Sequence, residues 1–210
     1  LESTDIAALT VTQAKGFTST QLGLLDTTQF AALTGTQLSG LSATQVAGLT
    51  TTQVTALTTT QVAGLTSTAL GGLTTTQATA LTSTDLAVLT TTQVKGLTTS
   101  QLNVLDTTQL GSLTSTLVGA LSTTQVSGLS TTQVTALTST QVGGLTTTQL
   151  ASLSTTSLNA LDTTDIAALT ATQVGGLSST QLAGLTATSL GALESTDIAA
   201  LTVTQAKGFT

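Results

Sequence analysis

The chain is one octapeptide written over and over. From Leu1 the pattern Leu-(Thr/Ser/Asp)-x-Thr-Gln-(Val/Leu/Ile)-x-(Gly/Ala) runs through 26 octads and two further residues without insertion or deletion, with Leu57-Thr58-Thr59-Thr60-Gln61-Val62-Ala63-Gly64 as a representative copy. With positions numbered 1 to 8, position 1 is Leu in every octad except the one opened by Phe17, and position 4 is Thr except at Ser100. A short constant period means that each small unit must bury its apolar side chains against copies of itself. Residues 1–210 therefore read as a single continuous array. Residues 1–18 reappear unchanged as residues 193–210, and Asp5, Asp85 and Asp165 recur at an equal interval shared by Lys15 and Lys95. Those longer periods, and the lack of an initiator Met, lead us to expect a piece of a longer array.

Three local structures compete for the octad. In a continuous helix, eight residues at about 100° each let Leu drift by about 80° per repeat, so no apolar stripe forms. A Thr-rich β-solenoid suits the abundance of Thr and Val. Its weakness is that positions 1 and 6 would point to opposite faces of an unbent strand. The third candidate is one very short helix per octad, and here the positions agree with one another. Thr58 followed three residues later by Gln61 is a capping box, with Leu57 and Val62 at the two positions of a hydrophobic staple. Asp26, Asp106 and Asp162 replace the cap with equally good caps, whereas Glu2 and Glu194 fit less well. Asp5, Asp85, Asp165 and Asp197 place acids at position 5, in a first turn, where the helix dipole favours them. Gly at position 8 suits a left-handed last residue and a close approach of backbones.

The expected fold class is therefore all-α, a solenoid or superhelix of very short N-capped helices, with the Thr-rich β-solenoid as the alternative. A helix below about 12 residues is marginal alone, so stability must come from stacked neighbours. Gly predominates at position 8 of even octads, as at Gly16, Gly48, Gly64 and Gly96, while Leu24, Val88 and Val104 close odd ones. That alternation predicts about two octads per turn. Position 4 is a further clue, because a residue merely facing water should vary. The expectation is that its hydroxyl bonds the backbone of an adjacent octad while its methyl packs.

Composition bounds function. Hydrophobic residues at 39% exclude a disordered tract, and charged residues at 6% with aromatics at 1% do not describe an ordinary globule. A net charge of -6 with only three basic residues argues against a nucleic acid partner. Thr and Gln interrupt every apolar run, so no membrane span is expected. With no Cys there is no thiolate site, and with no His there is no imidazole to activate a Ser or Thr hydroxyl. The acids are scattered without a calcium-loop motif, and Lys15, Lys95 and Lys207 occupy variable position 7. No catalytic, cofactor-binding or metal residue is assigned, no cofactor is expected, and the chain is not expected to be an enzyme.

The unit Leu-Thr-x-Thr-Gln-Val-x-Gly resembles the octapeptide repeats of very long bacterial surface and adhesin-like proteins, over the whole chain. That resemblance implies a compact superhelix of short helices and a location outside the cell or on a bacterial surface. The same unit is similar to the opening of TAL-effector repeats, Leu-Thr-Pro-Glu-Gln-Val, but only over six positions and without a base-reading loop, so it implies no DNA binding. Two functions remain on these grounds. One is a structural spacer or stalk of a secreted or surface protein; the other is a binding module presenting a repetitive Thr face to a glycan, to ice or to another array, self-association included.

Overall fold

The computed structural model describes residues 2–209. It holds 26 α-helices, one per octad from α1 (Ser3–Ala7) to α26 (Val203–Ala206), then a 3-10 turn at Lys207–Phe209, and no strand among the described residues. The fold is the expected all-α solenoid of short helices, and the β alternative does not form. Local hydrogen bonding explains why. At α8 (Thr59–Gly64), the Gln61 N–H donates to the Thr58 hydroxyl at 3.2 Å, while Gln61 Oε1 accepts from the Thr58 N–H at 2.9 Å. Two amides that a six-residue helix would leave unpaired are satisfied by two side chains within one octad. Asp26, Asp106 and Asp162 accept from the third helical amide at 2.8, 2.7 and 2.8 Å. Glu2 and Glu194 make no side-chain cap bond, and Asp5 and Asp197 accept from their N–H groups at 2.9 Å.

The C-terminal ends differ from expectation. No residue, glycine included, has positive φ among the described residues. Gly48 at position 8 is right-handed, with φ -82° and ψ -6°. The helix is closed instead by the next leucine, whose N–H returns to the position-6 carbonyl, as Leu65 does to Val62 at 3.1 Å. The backbone then runs extended through Leu65 (φ -69°, ψ 139°) and Thr66 (φ -73°, ψ 159°) into the next cap.

Because nothing reverses the chain at position 8, it does not double back after each octad, and the expected two octads per turn are too few to close a coil. Packed helices lie three apart. The chain divides into two compact units, Leu1–Ser112 and Leu113–Thr210, and the spacing holds in each. In the first, α5 (Gly35–Leu38) packs on α8, and α9 (Ser67–Gly71) on α12 (Thr91–Gly96). In the second, α15 (Ser115–Ala120) packs on α18 (Ser139–Gly143), and α16 (Thr123–Ser127) on α19 (Thr147–Ser152). Within a coil the leucines of position 1 and the aliphatic residues of position 6 fill the core, as Leu57, Val62, Leu145 and Leu150 do. Each such side chain contributes roughly 1.5–3 kcal/mol on burial.

Candidate functional site

The most consequential side chain is the glutamine of position 5. Its carbonyl oxygen is used by its own cap, which leaves the amide nitrogen to be placed. That nitrogen reaches back one coil. Gln93 Nε2 donates to the carbonyls of Val62 at 2.9 Å and Leu65 at 2.7 Å, and Gln101 Nε2 to those of Leu70 at 2.8 Å and Leu73 at 2.7 Å. The second unit repeats this, with Gln181 on Leu150 at 3.0 Å and Leu153 at 2.8 Å. The acceptors are the position-1 carbonyl of one octad and the position-6 or position-7 carbonyl of the octad before it, the latter as in Gln109 on Thr79 and Leu81, so a stacked glutamine spans a junction between two octads of the coil below. One turn therefore takes between three and four octads. Position-1 carbonyls belong to extended backbone and would otherwise be buried without a donor. No buried side-chain polar atom lacks a partner among the described residues.

A second contact sets the distance between coils. Position 8 of one octad lies on position 3 of the octad three before it. A Cβ built on Gly64 would stand 2.5 Å from the Cα of Gly35, and one on Gly96 would stand 2.6 Å from Ser67 Cβ. The role of these glycines is close approach, since their φ is ordinary. Position 7 completes the seam from the other side, where Asn159 Nδ2 donates to the Gly184 carbonyl at 2.8 Å.

With this geometry in view, comparison with known families becomes informative. A family model described as the ALTTAQ repeat matches residues 1–35, 80–115, 118–147 and 144–179, more than half of the chain. The chain belongs to the ALTTAQ repeat family. No curated protein matches it. It is a structural repeat protein, and the glutamine slot is the device by which its ALTTAQ octads stack.

Exceptions in the slot test that statement. Ala69, Leu117, Ser157 and Ser189 replace the glutamine, and none of their side chains accepts from the cap N–H among the described residues. Ser157 and Ser189 turn instead to their own caps, at 2.9 Å from Ser154 and Thr186. The acids Asp85, Asp165 and Asp197 are buried in the slot, where a carboxylate can accept from the cap but donate nothing below. Asp165 gains a donor from the coil below, the Ser139 hydroxyl at 2.9 Å. Burial raises its pKa above the ordinary 3.8, with the Asp162 charge adding to the rise and the hydrogen bonds from Ser139 and the Asp162 amide opposing it. A raised folded-state pKa means that this group favours folding most below its unfolded value, and that the advantage is lost as pH rises through the folded value. Asp165→Gln is accordingly expected to raise the melting temperature at neutral pH, with the gain over wild type shrinking as pH falls through the carboxylate range; thermal melts from pH 3 to pH 7 check it.

The position-4 expectation is overturned. These threonines are exposed in every octad, and no hydrogen bond joins one of their hydroxyls to a neighbouring octad's backbone among the described residues. The polar side chain that bridges octads is the glutamine beside them. At the second turn-forming residue of each helix, position 4 points away from the coil below, while position 5 points into it. Thr52→Ala, Thr60→Ala or Thr68→Ala should each change unfolding free energy by less than about 0.5 kcal/mol, as urea denaturation would show.

Each unit also carries an open groove where stacked octads meet. One, of about 530 Å³, lies between Thr36, Ser39 and Thr60 over the Gly35–Gly64 contact; the other, of about 450 Å³, lies between Thr180, Ala183 and Thr204 beside Lys207. No three metal-ligating side chains of the His, Cys, Asp or Glu type come together among the described residues. No described helix is long and apolar enough to cross a membrane.

Proposed function

We propose that this ALTTAQ array is a spacer or stalk of a secreted or cell-surface protein, without catalytic activity, that holds other segments apart rather than acting on a substrate. The observation that carries the reading is how the polar groups are spent. Cap hydroxyls and slot glutamines are consumed by the backbone of the array itself, and the surface left over is Thr, Ser, Ala and Gly with few charges. Such a surface supplies neither a nucleophile with its base nor a field to steer a charged ligand. Membership of a repeat family is in keeping with it.

One observation favours the second reading, a repetitive Thr face that binds. Position 4 is almost uniformly Thr although exposed, whereas position 7, also largely exposed, holds Ala, Gly, Ser, Thr, Asn and Lys. Two measurements on the purified chain separate the readings: a glycan array and thermal hysteresis in ice-growth assays. A spacer gives neither signal, and reproducible binding in either would displace it. Protease accessibility on intact source cells tests the location, since protection of the chain until lysis would overturn a surface position.

A further inference from the structure

We propose that the slots of Asp85 and Asp197 each bind an alkali-metal cation, potassium fitting best, in the place that a glutamine amide takes elsewhere. The assignment does not depend on the spacer reading. Asp85 and Asp197 are each only 2% exposed. In both, one carboxylate oxygen is spent on the cap: Oδ2 of Asp85 accepts from the Thr82 N–H at 2.9 Å and the Thr82 hydroxyl at 2.6 Å, and Oδ2 of Asp197 from the Glu194 N–H at 2.9 Å. The other oxygen, Oδ1, has no donor among the described residues, and it keeps a trace of contact with solvent, since no fully buried side-chain oxygen there lacks a partner. Neither carboxylate is in an ion pair among the described residues. A carboxylate this deeply buried is ordinarily paired with a cation or coordinated to a metal ion.

The floor of each slot is the second observation. Below a glutamine the position-1 carbonyl accepts an amide hydrogen, as Leu65 does from Gln93 at 2.7 Å. The same register places the carbonyls of Val54 and Leu57 below Asp85, and those of Ile166 and Leu169 below Asp197. Val54 and Ile166 accept the returning amides of Leu57 and Leu169, both at 3.2 Å. The Leu57 and Leu169 carbonyls receive no donor among the described residues, although both leucines are buried. Aspartate is one methylene shorter than glutamine, so a gap separates Oδ1 from these carbonyls, with oxygen facing oxygen across it and no hydrogen between. The glutamine nitrogen stands 2.9 and 2.7 Å from its two carbonyls in the Gln93 slot. That is longer than the calcium–oxygen distance of about 2.3–2.6 Å, and calcium also takes about 6–8 oxygens. One negative charge and two carbonyls suit instead a larger ion of single charge, completed by water from the solvent side. Asp165 is the contrast within the chain. Its Oδ1 accepts from Ser139, 26 residues earlier, at 2.9 Å, whereas Thr59 and Ala171, at the same spacing from Asp85 and Asp197, make no such bond. The slots of Ala69 and Ser157 carry no charge and hold no cation.

Thermal melts of the whole 210-residue chain, followed by circular dichroism at pH 7 in potassium, sodium or choline chloride of equal ionic strength, test this. Potassium or sodium is expected to raise the midpoint by about 2–4 °C over choline, because an ion held only by the folded chain stabilises it. Asp85→Asn with Asp197→Asn keeps the size of both side chains, removes their charge and should abolish that gap. Sodium NMR linewidths give a direct readout. The wild-type chain should broaden the sodium signal, added potassium should narrow it again, and the double variant should leave it at the free-ion width. Should the variant fail to fold, the competition between potassium and sodium on the wild type still decides. Equal midpoints in the three salts overturn the proposal, as does a free-ion linewidth with the wild type, because water alone then bridges the slots. A gap that survives in the folded double variant marks an adventitious ion only and overturns it as well. So does a gap that micromolar calcium produces and the alkali ions do not.

Discussion

Gln93→Glu is expected to be among the most damaging single substitutions in the array, lowering unfolding free energy by about 3–5 kcal/mol at neutral pH. A glutamate serves a capping box as well as a glutamine does, so the cap on Thr90 is kept. What is lost is the amide that donates to Val62 and Leu65. In its place a buried carboxylate faces two carbonyl oxygens, with desolvation and repulsion acting together. Gln93→Leu should cost less, about 2–3 kcal/mol, because it takes the glutamine donor from the Leu65 carbonyl, while Val62 keeps the Leu65 amide, and adds no charge; Leu117 already holds that slot position within the chain. The ordering is checked by guanidinium denaturation at pH 7. Lowering the pH should bring Gln93→Glu back toward wild type, because a protonated glutamate regains a donor. Equal stability of the two variants at pH 7 would mean that the cross-coil bonds carry little.

Gly64→Ala should cost about 3 kcal/mol. Its new methyl would overlap the Gly35 carbonyl oxygen, and what it meets there is backbone rather than the movable end of a side chain. Relief would require α5 and α8 to separate, which also stretches the glutamine bonds beside them. Gly191→Ala is the control, since a Cβ there meets no atom within 4 Å; it should stabilise by up to about 1 kcal/mol through helix propensity. Opposite shifts in thermal midpoint for two chemically identical changes would separate coil spacing from backbone freedom.

These two residues also mark how far the sequence was legible. The unit was readable because its determinants are local: Thr58 and Gln61 are three residues apart, and a capping box needs no knowledge of the rest of the chain. The coil was not, because its determinants lie 28 and 31 residues apart, and an array of near-identical octads offers the same partner at every multiple of eight. Alternation of Gly and Ala at position 8 pointed to two octads per turn, yet Gly64 is glycine because of Gly35, three octads earlier. The strongest available signal was chemical rather than periodic. Glutamine fills most of position 5 and Glu is absent there although a capping box accepts either, a preference for a side chain that donates as well as accepts, from which the four aspartates depart. Attention to the uniform Thr60 instead of its neighbour Gln61 placed the bridge one residue too early. The two differ by about 100° around a helix, enough to turn one side chain to water and the other to the coil below.

The reach of Gln37 to Ile6 and Leu9 has a kinetic consequence. No cross-coil bond can form until more than three octads have been brought into place, so the first coil must close a long loop before anything rewards it. Once it has closed, each further octad finds its two carbonyls waiting and adds its bonds on arrival. Folding within a unit should thus show a slow nucleation followed by rapid growth along the chain, and the nucleus can arise in any run of octads whose slots are filled by glutamine. Substitutions such as Ala69 would then act as pauses in that growth rather than as breaks in the finished structure.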